Sequence, residues 1–408
     1  MGHGTDLTIG DRIRELRTRA QPRITQRELA ERAGVSIDVI RKLEQGSKHS
    51  ALIGTLQRIA HALDVEIALL LGQSRGLTVD ATETTGMAGV SAIRYALTVL
   101  PELADVDGED TMLTADELRR QVTYCWGAYW AGDYPALGAT LPGLIQQARA
   151  TVRLATDDRG AASDLIAQVY QIAGCVVAHL GHGDLAYIAL DLAMRAARDS
   201  SDELRSAALY GSYAWLVQKQ GRTDEAHHVA AMAAQRIEPK FSKAAPEELS
   251  LWGSLVLTSA TAAARSGRVV ESGDLLSVAE GIASRLGVDR NDYEAPFGPS
   301  QVIMQAVDIA VVTNQPGHAL DQARRMPLDT RLPLAARSRH MTDVAFAHAA
   351  LGHDDAALDT MLRVERAAPS WISYQAFPRV VVGDLLHNER RRNTQLRELA
   401  GRLGVNDA

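Results

Sequence analysis

The chain is poor in cysteine, poor in aromatic residues, and without a long apolar run. Two cysteines, Cys125 and Cys175, in 408 residues give no disulfide framework. Both sit in apolar, helical-looking stretches and are read as buried free thiols. Aromatics are 5% of the chain while alanine is abundant. Small residues let helices pack closely, so the composition leans towards an all-α fold. The N-terminal stretch MGHGTDLTIGDRIREL lacks the apolar centre of a signal peptide, and no run of 18 apolar residues occurs. No membrane partner is therefore expected, and a cytoplasmic location is. Also missing are H-E-x-x-H, G-x-S-x-G, the Walker loop and the Rossmann fingerprint, so neither catalysis nor a cofactor is expected. His227 and His228 are adjacent and cannot share a helical face. His179 and His182 bracket a turn with no cysteine or acid pair at ligand spacing. All four are read as surface histidines, and no metal site is expected.

The length suggests two or three domains, or one small domain plus an extended array. Net charge is −7, which alone argues against a nucleic-acid binder. The distribution says more. Residues 1–76 carry +3 and residues 77–408 carry −10, a basic head on an acidic body.

The head is the most informative part. Residues 9–20 place Ile9, Ile13 and Leu16 on one helical face. Thr25 and Glu28 form a T-x-x-E capping box that starts a second helix, with Leu29, Ala30 and Ala33 on its apolar face. Gly34 suits the left-handed position that reverses the chain, Val35 plugs the turn, and Ser36 is placed to cap a third helix, Ile37 to Gln45, with Ile40 and Leu43 facing inward. A fourth helix at 52–63 and a short fifth at 65–71 complete a compact unit. Two short helices joined by a glycine-containing turn match the helix-turn-helix description.

The stretch TQRELAERAGVSIDVIRKLEQG, residues 25–46, resembles the Cro/C1-type (XRE-family) helix-turn-helix. It shares Gln26, Glu28-Leu29-Ala30, Ala33-Gly34-Val35-Ser36 and Leu43-Glu44-x-Gly46. The resemblance covers residues 9–72, under a fifth of the chain, and departs in a longer AQPRI loop at 20–24. It implies that Gln26 touches a DNA phosphate and that Glu44 pairs with Arg17 or Arg19 in a structural role.

In such a motif the second helix lies in the major groove and offers its N-terminal side chains to base edges. Those positions are Ser36, Ile37, Asp38 and, one turn on, Lys42. Lys42 is a donor for guanine O6 and N7, Asp38 an acceptor for cytosine N4, and Ile37 a contact for a thymine methyl. An acid in the first helical turn also complements the helix dipole without DNA, so Asp38 has two readings. Arg27, Arg41 and Lys48 join Gln26 as phosphate candidates.

Residues 73–90 lack periodicity and read as a linker. From 91 to 408 helix pairs are broken by Gly-polar turns at Gly132, Gly183, Gly221, Gly267, Gly317 and Gly352, at steps of 51, 38, 46, 50 and 35. This resembles tetratricopeptide (TPR) repeats in degenerate form, about six units stacked into an α-solenoid with a concave face for a ligand. Of the aromatics on the first helices (Trp126, Tyr129, Trp130, Tyr170, Tyr213 and Trp252), Tyr170 and Tyr213 are the groove candidates. The last helix should use Leu396, Leu399 and Leu403 to cap the array or meet a partner, and Arg390 to Arg392 read as a solvated end.

The arrangement resembles actinobacterial XRE regulators with a TPR-like C-terminal region. More distantly, it resembles peptide-responsive quorum-sensing regulators whose repeats dimerise and bind a short peptide. The expectation is a homodimeric transcription regulator on double-stranded DNA, modulated by a peptide or small-molecule effector. The alternative is an interaction scaffold with a weakened head, which Asp38 and the modest +3 favour.

Overall fold

The computed structural model describes residues 8–20, 23–47, 53–63, 65, 70, 88–100, 113–155, 159–200, 202–389 and 393–405. They form twenty α-helices and no strand, as an all-α sequence should.

The first four helices are α1 (Ile9–Arg19), α2 (Gln26–Ala33), α3 (Ile37–Glu44) and α4 (Ile53–Ala62). Thr8 starts α1 with a capping box to Asp11, and Thr25 starts α2 with one to Glu28. Ile13, Leu29, Ile40, Leu43, Leu56 and Ile59 fill one fully buried core. Val65 and Leu70 pack on the same core; the remainder of the expected fifth helix lies outside the described residues.

The crossing of α1 and α3 depends on Gly10. A Cβ there would sit 1.9 Å from the Leu43 carbonyl oxygen, a backbone atom that no rotamer change can move. Gly10→Ala is expected to destabilise the head by about 1–3 kcal/mol through overpacking, read as a lower melting temperature of that unit. An unchanged melting curve would contradict this crossing.

The helical pattern resumes at Ala88, three residues before the expected Ser91. Helix α5 (Ala88–Thr98) is followed by α6 (Ala115–Ala131), α7 (Tyr134–Leu154), α8 (Arg159–His179), α9 (Gly183–Ser200), α10 (Glu203–Lys219), α11 (Thr223–Arg236), α12 (Pro246–Arg265) and α13 (Val269–Leu286). Then come α14 (Pro299–Val312), α15 (Pro316–Ala323), α16 (Leu334–Ala350), α17 (Asp354–Ala367), α18 (Pro369–Tyr374), α19 (Ala376–His387) and α20 (Thr394–Leu403).

From α6 to α17 these are six hairpins, each made of a first helix and a second. In all six, a left-handed residue ends the first helix. The next residue's N–H then donates to the carbonyl five positions back, as in Asp133 to Ala128 at 2.9 Å and His353 to His348 at 2.9 Å. This double closure satisfies carbonyls that the helix end would leave open. The left-handed residues are Gly132, Gly181, Gly221, Gly267, Asn314 and Gly352, so two expected turn glycines are corrected. Gly183 begins α9 and Gly317 lies within α15, because the φ > 0 position falls on Gly181 and on Asn314, the non-glycine residue type that best tolerates it.

Each first helix packs on the next, and α16 returns to touch α6. Trp371 closes over Gly132, and Gln375 Nε2 donates to the Tyr134 hydroxyl at 3.2 Å. Helix α8 is the one described helix long and apolar enough to cross a membrane, yet 83% of its apolar window is buried among its neighbours. Cys125 and Cys175 are buried free thiols, and burial pushes them up to about 11 and about 12. Leu396, Leu399 and Leu403 are buried in the largest core, so the final helix caps the array. Arg390 to Arg392 lie outside the described residues.

Three first helices are joined by buried charge. Asp308 on α14 accepts from Arg265 on α12 at 2.8 Å and from Arg339 on α16 at 2.9 Å. Arg339 also donates to Asp343 at 3.1 Å. Burial acts to raise Asp308, but the two guanidinium charges hold it below the usual carboxylate range. Burial pushes Asp343 up to about 7 against the pull of Arg339.

Burial also pushes His340 down to about 4. A histidine depressed on folding supports stability fully above its unfolded pKa near 6.5, and loses that support as pH falls towards 4. Asp343, raised on folding, works in the opposite direction over the same window. The expected result is therefore comparative: His340→Gln loses less stability than wild type between pH 7 and pH 5 in urea titrations. Equal losses would contradict a neutral buried His340.

Candidate nucleic-acid interface and ligand face

The geometry of the head is built from its caps. The Thr25 hydroxyl accepts from the Glu28 N–H at 3.2 Å, and the Glu28 carboxylate accepts from the Thr25 N–H at 2.7 Å. That backbone hydrogen bond, with the one from the threonine side chain, holds Glu28 below its ordinary pKa. Gly34 takes φ 60°, and the Val35 N–H returns to the Ala30 carbonyl at 3.0 Å. The chain is thereby aimed into α3.

On α3 the inward face is Ile40, Leu43 and Glu44. The outward face is Ser36, Asp38, Arg41, Lys42 and, just past the helix end, Gln45. Ser36 occupies the N-cap position, but its hydroxyl makes no cap hydrogen bond; the expected capping role is corrected, and the group stays available. Ile37 is half-buried against the core, with Val39. Asp38 and Arg41 are both exposed and 3.8 Å apart. Lys42 makes no ion pair with a described residue. Gln45 was not singled out from sequence, although position 45 lies one turn beyond Lys42.

Glu44 organises the interior edge. It accepts from Arg17 Nε at 2.7 Å and Nη2 at 2.8 Å, and from Gln26 Nε2 at 2.7 Å. Arg17 also donates to the Ile24 carbonyl at 3.0 Å, and its hydrogen bond to Glu44 raises its pKa. Of the two expected partners the structure selects Arg17; Arg19 pairs instead with Glu15 on the helix surface. Gln26, expected at a phosphate, is thus held by Glu44 through its amide nitrogen, at the start of α2. Arg27 is exposed and pairs with Glu31 at 3.0 Å. Lys48 lies outside the described residues.

Residues 13–70 match the helix-turn-helix family model. The match spans α1 to α4, and its turn is the Gly34–Ser36 segment. No curated protein and no solved structure matches the chain. The helix-turn-helix is a DNA-binding module, and here it presents α3 with its polar side chains outward.

The two groove candidates in the array face elsewhere. Tyr170 is 6% exposed, and its hydroxyl accepts from Arg149 on α7 at 2.8 Å. Tyr213 donates to Glu225 on α11 at 2.7 Å and its ring meets Tyr187 on α9. Both point at second helices, away from where the first helices converge. Trp215, two residues beyond Tyr213, is about 200° round the helix and does face inward. Its ring lies 5.0 Å from His179, which also meets Tyr129 and Tyr134. His179, expected at the surface, is half-buried in this aromatic cluster. Burial, with Lys219 and Arg339 nearby, holds it well below its ordinary pKa. Sequence reasoning missed this cluster because its members come from α6, α7, α8 and α10.

Proposed function

We propose that the chain is a sequence-specific transcription regulator that binds double-stranded DNA as a homodimer. Residues 1–72 are the reading head, 73–90 the linker, and 91–408 a TPR-like region for sensing and dimerisation. The observation that carries this reading is the coincidence of the helix-turn-helix match with an outward α3 whose Ser36 hydroxyl and Lys42 ammonium have no partner among the described residues. Base reading falls to Ser36, Asp38 and Lys42, with the outer edge of Ile37. Gln45 is added, since a glutamine amide matches adenine N6 and N7. Phosphate contacts fall to Gln26, Arg27, Arg41 and Lys48, together with the open N–H groups at the start of α2.

One head binds weakly, and two linked heads multiply affinity through effective concentration. Half-sites about 34 Å apart suit such a dimer. A peptide or small-molecule effector in the array acts only through different affinities for two arrangements of the heads. The reading places the protein in the cytoplasm.

Quantitative gel shifts test the residue roles. Lys42→Ala should lose about 1–3 kcal/mol at one base position and relax selectivity there. Arg27→Ala should weaken all sequences alike and flatten the salt slope by about one unit. A Lys42→Ala protein that reads every operator as wild type does would overturn the assignment of α3.

A further inference from the structure

The longest described connection in the array, residues 287–298 between α13 and α14, folds back across the inner face. Arg290 and Phe297 exchange two backbone hydrogen bonds, at 2.8 and 3.0 Å, closing a tip at Asn291–Pro296. Phe297 anchors it: the side chain is fully buried, with ring atoms 2.2 Å from where a Cβ on Gly253 would stand. At the tip Tyr293 and Glu294 take φ 54° and 59°. Two adjacent residues with side chains in the left-handed region persist only where their surroundings over-determine them.

Those surroundings are specific. The Glu294 carboxylate accepts from the Trp130 indole N–H on α6 at 2.5 Å and from Asn291 Nδ2 at 2.7 Å. The Tyr293 ring lies 5.0 Å from the Arg205 guanidinium on α10. Arg205 is 6% exposed; its Nε is bound to Asp164 at 2.7 Å, while its Nη1 has no partner among the described residues. A buried cation with an unused donor, beside an indole N–H aimed at a carboxylate, is the chemistry of a carboxylate receptor. Burial raises the pKa of Glu294 even so, which marks the carboxylate as held at a desolvation cost.

We propose that the tip is a built-in occupant of a ligand site, and that the external ligand is a short peptide segment with an acidic side chain next to an aromatic one. The ligand carboxylate takes the Trp130 N–H and the free Arg205 donor, and its ring takes the face of Arg205 that Tyr293 covers. The tip leaves as the peptide enters and relaxes from its left-handed conformation. This rests on the reading of the array as a sensor.

The test uses the full chain with Tyr293→Gly and Glu294→Gly together. Glycine suits both backbone positions, so this variant vacates the site without new strain. The probe is the synthetic hexapeptide NDYEAP, titrated by calorimetry. The variant should bind it about tenfold or more tighter than wild type, because in wild type only the fraction with the tip released is competent. The peptide NDYQAP, and Trp130→Phe in the same background, should each weaken binding about tenfold. In wild type, excess NDYEAP should raise amide exchange at residues 291–296. A folded double-glycine variant that ignores NDYEAP, or that binds NDYEAP and NDYQAP alike, would overturn the site. Peptide uptake with unchanged DNA affinity would overturn the sensor reading and leave the site standing.

Discussion

Glu44→Ala unfolds the DNA-reading head while the array stays folded. Its carboxylate, with the side chain 3% exposed, is the anionic partner of Arg17, whose side chain is 10% exposed. Removing it leaves a guanidinium in the core with the Ile24 carbonyl as its one remaining hydrogen-bond acceptor among the described residues. Breaking a buried pair from one side costs about 3–5 kcal/mol. A unit of this size rarely has more than about 3–5 kcal/mol in total, so the loss consumes its stability. The Gln26 side chain loses its partner as well, although the Thr25–Glu28 cap at the start of α2 is untouched. The expected readings are loss of DNA binding, a drop in helicity matching α1 to α4, and protease cleavage within residues 9–62 alone. Arg17→Met with Glu44→Leu should restore folding, because an apolar pair of similar volume is neutral or stabilising where half a pair is not. A Glu44→Ala protein with wild-type helicity and DNA affinity would contradict a structural role for the pair.

Asp308→Ala should do to the array what Glu44→Ala does to the head. Arg265, 7% exposed, loses its only carboxylate among the described residues. Arg339 keeps Asp343 and is partly open, so most of the penalty falls on Arg265, again about 3–5 kcal/mol. The damage should centre on α12, α14 and α16, read as faster amide exchange in those helices and a lower urea midpoint. Arg265→Met with Asp308→Leu should recover most of it. The single variant melting as wild type does would show that the network is dispensable.

What could be read from the sequence was local. Thr25 with Glu28 predicted the start of α2, and Ala33-Gly34-Val35-Ser36 predicted the turn, because caps and left-handed glycines are decided within five residues. The pairing of Glu44 was legible only to a choice of two. Register decided it: Arg17 lies one helical turn from Ile13 on the buried face, and Arg19 lies on the other side beside Glu15. The repeat rhythm was visible, but Gly183 and Gly317 were misplaced because any glycine near a turn looks like the turn. Tyr170 and Tyr213 were placed on the wrong face because the 3.6-residue period shows which residues share a face, not which face looks inward. The His179 cluster and the Tyr293–Glu294 tip join residues up to 164 positions apart, and no short-range pattern carries such contacts.

The measurement closest to the central claim is binding of the purified full-length protein to genomic duplex fragments across a salt series, with guanine N7 methylation interference on the bound fragments. If α3 enters the major groove, binding falls steeply as salt rises, and methylated guanines interfere in two clusters about 34 Å apart. Indifference to every duplex at low ionic strength, or binding untouched by major-groove methylation, would contradict it.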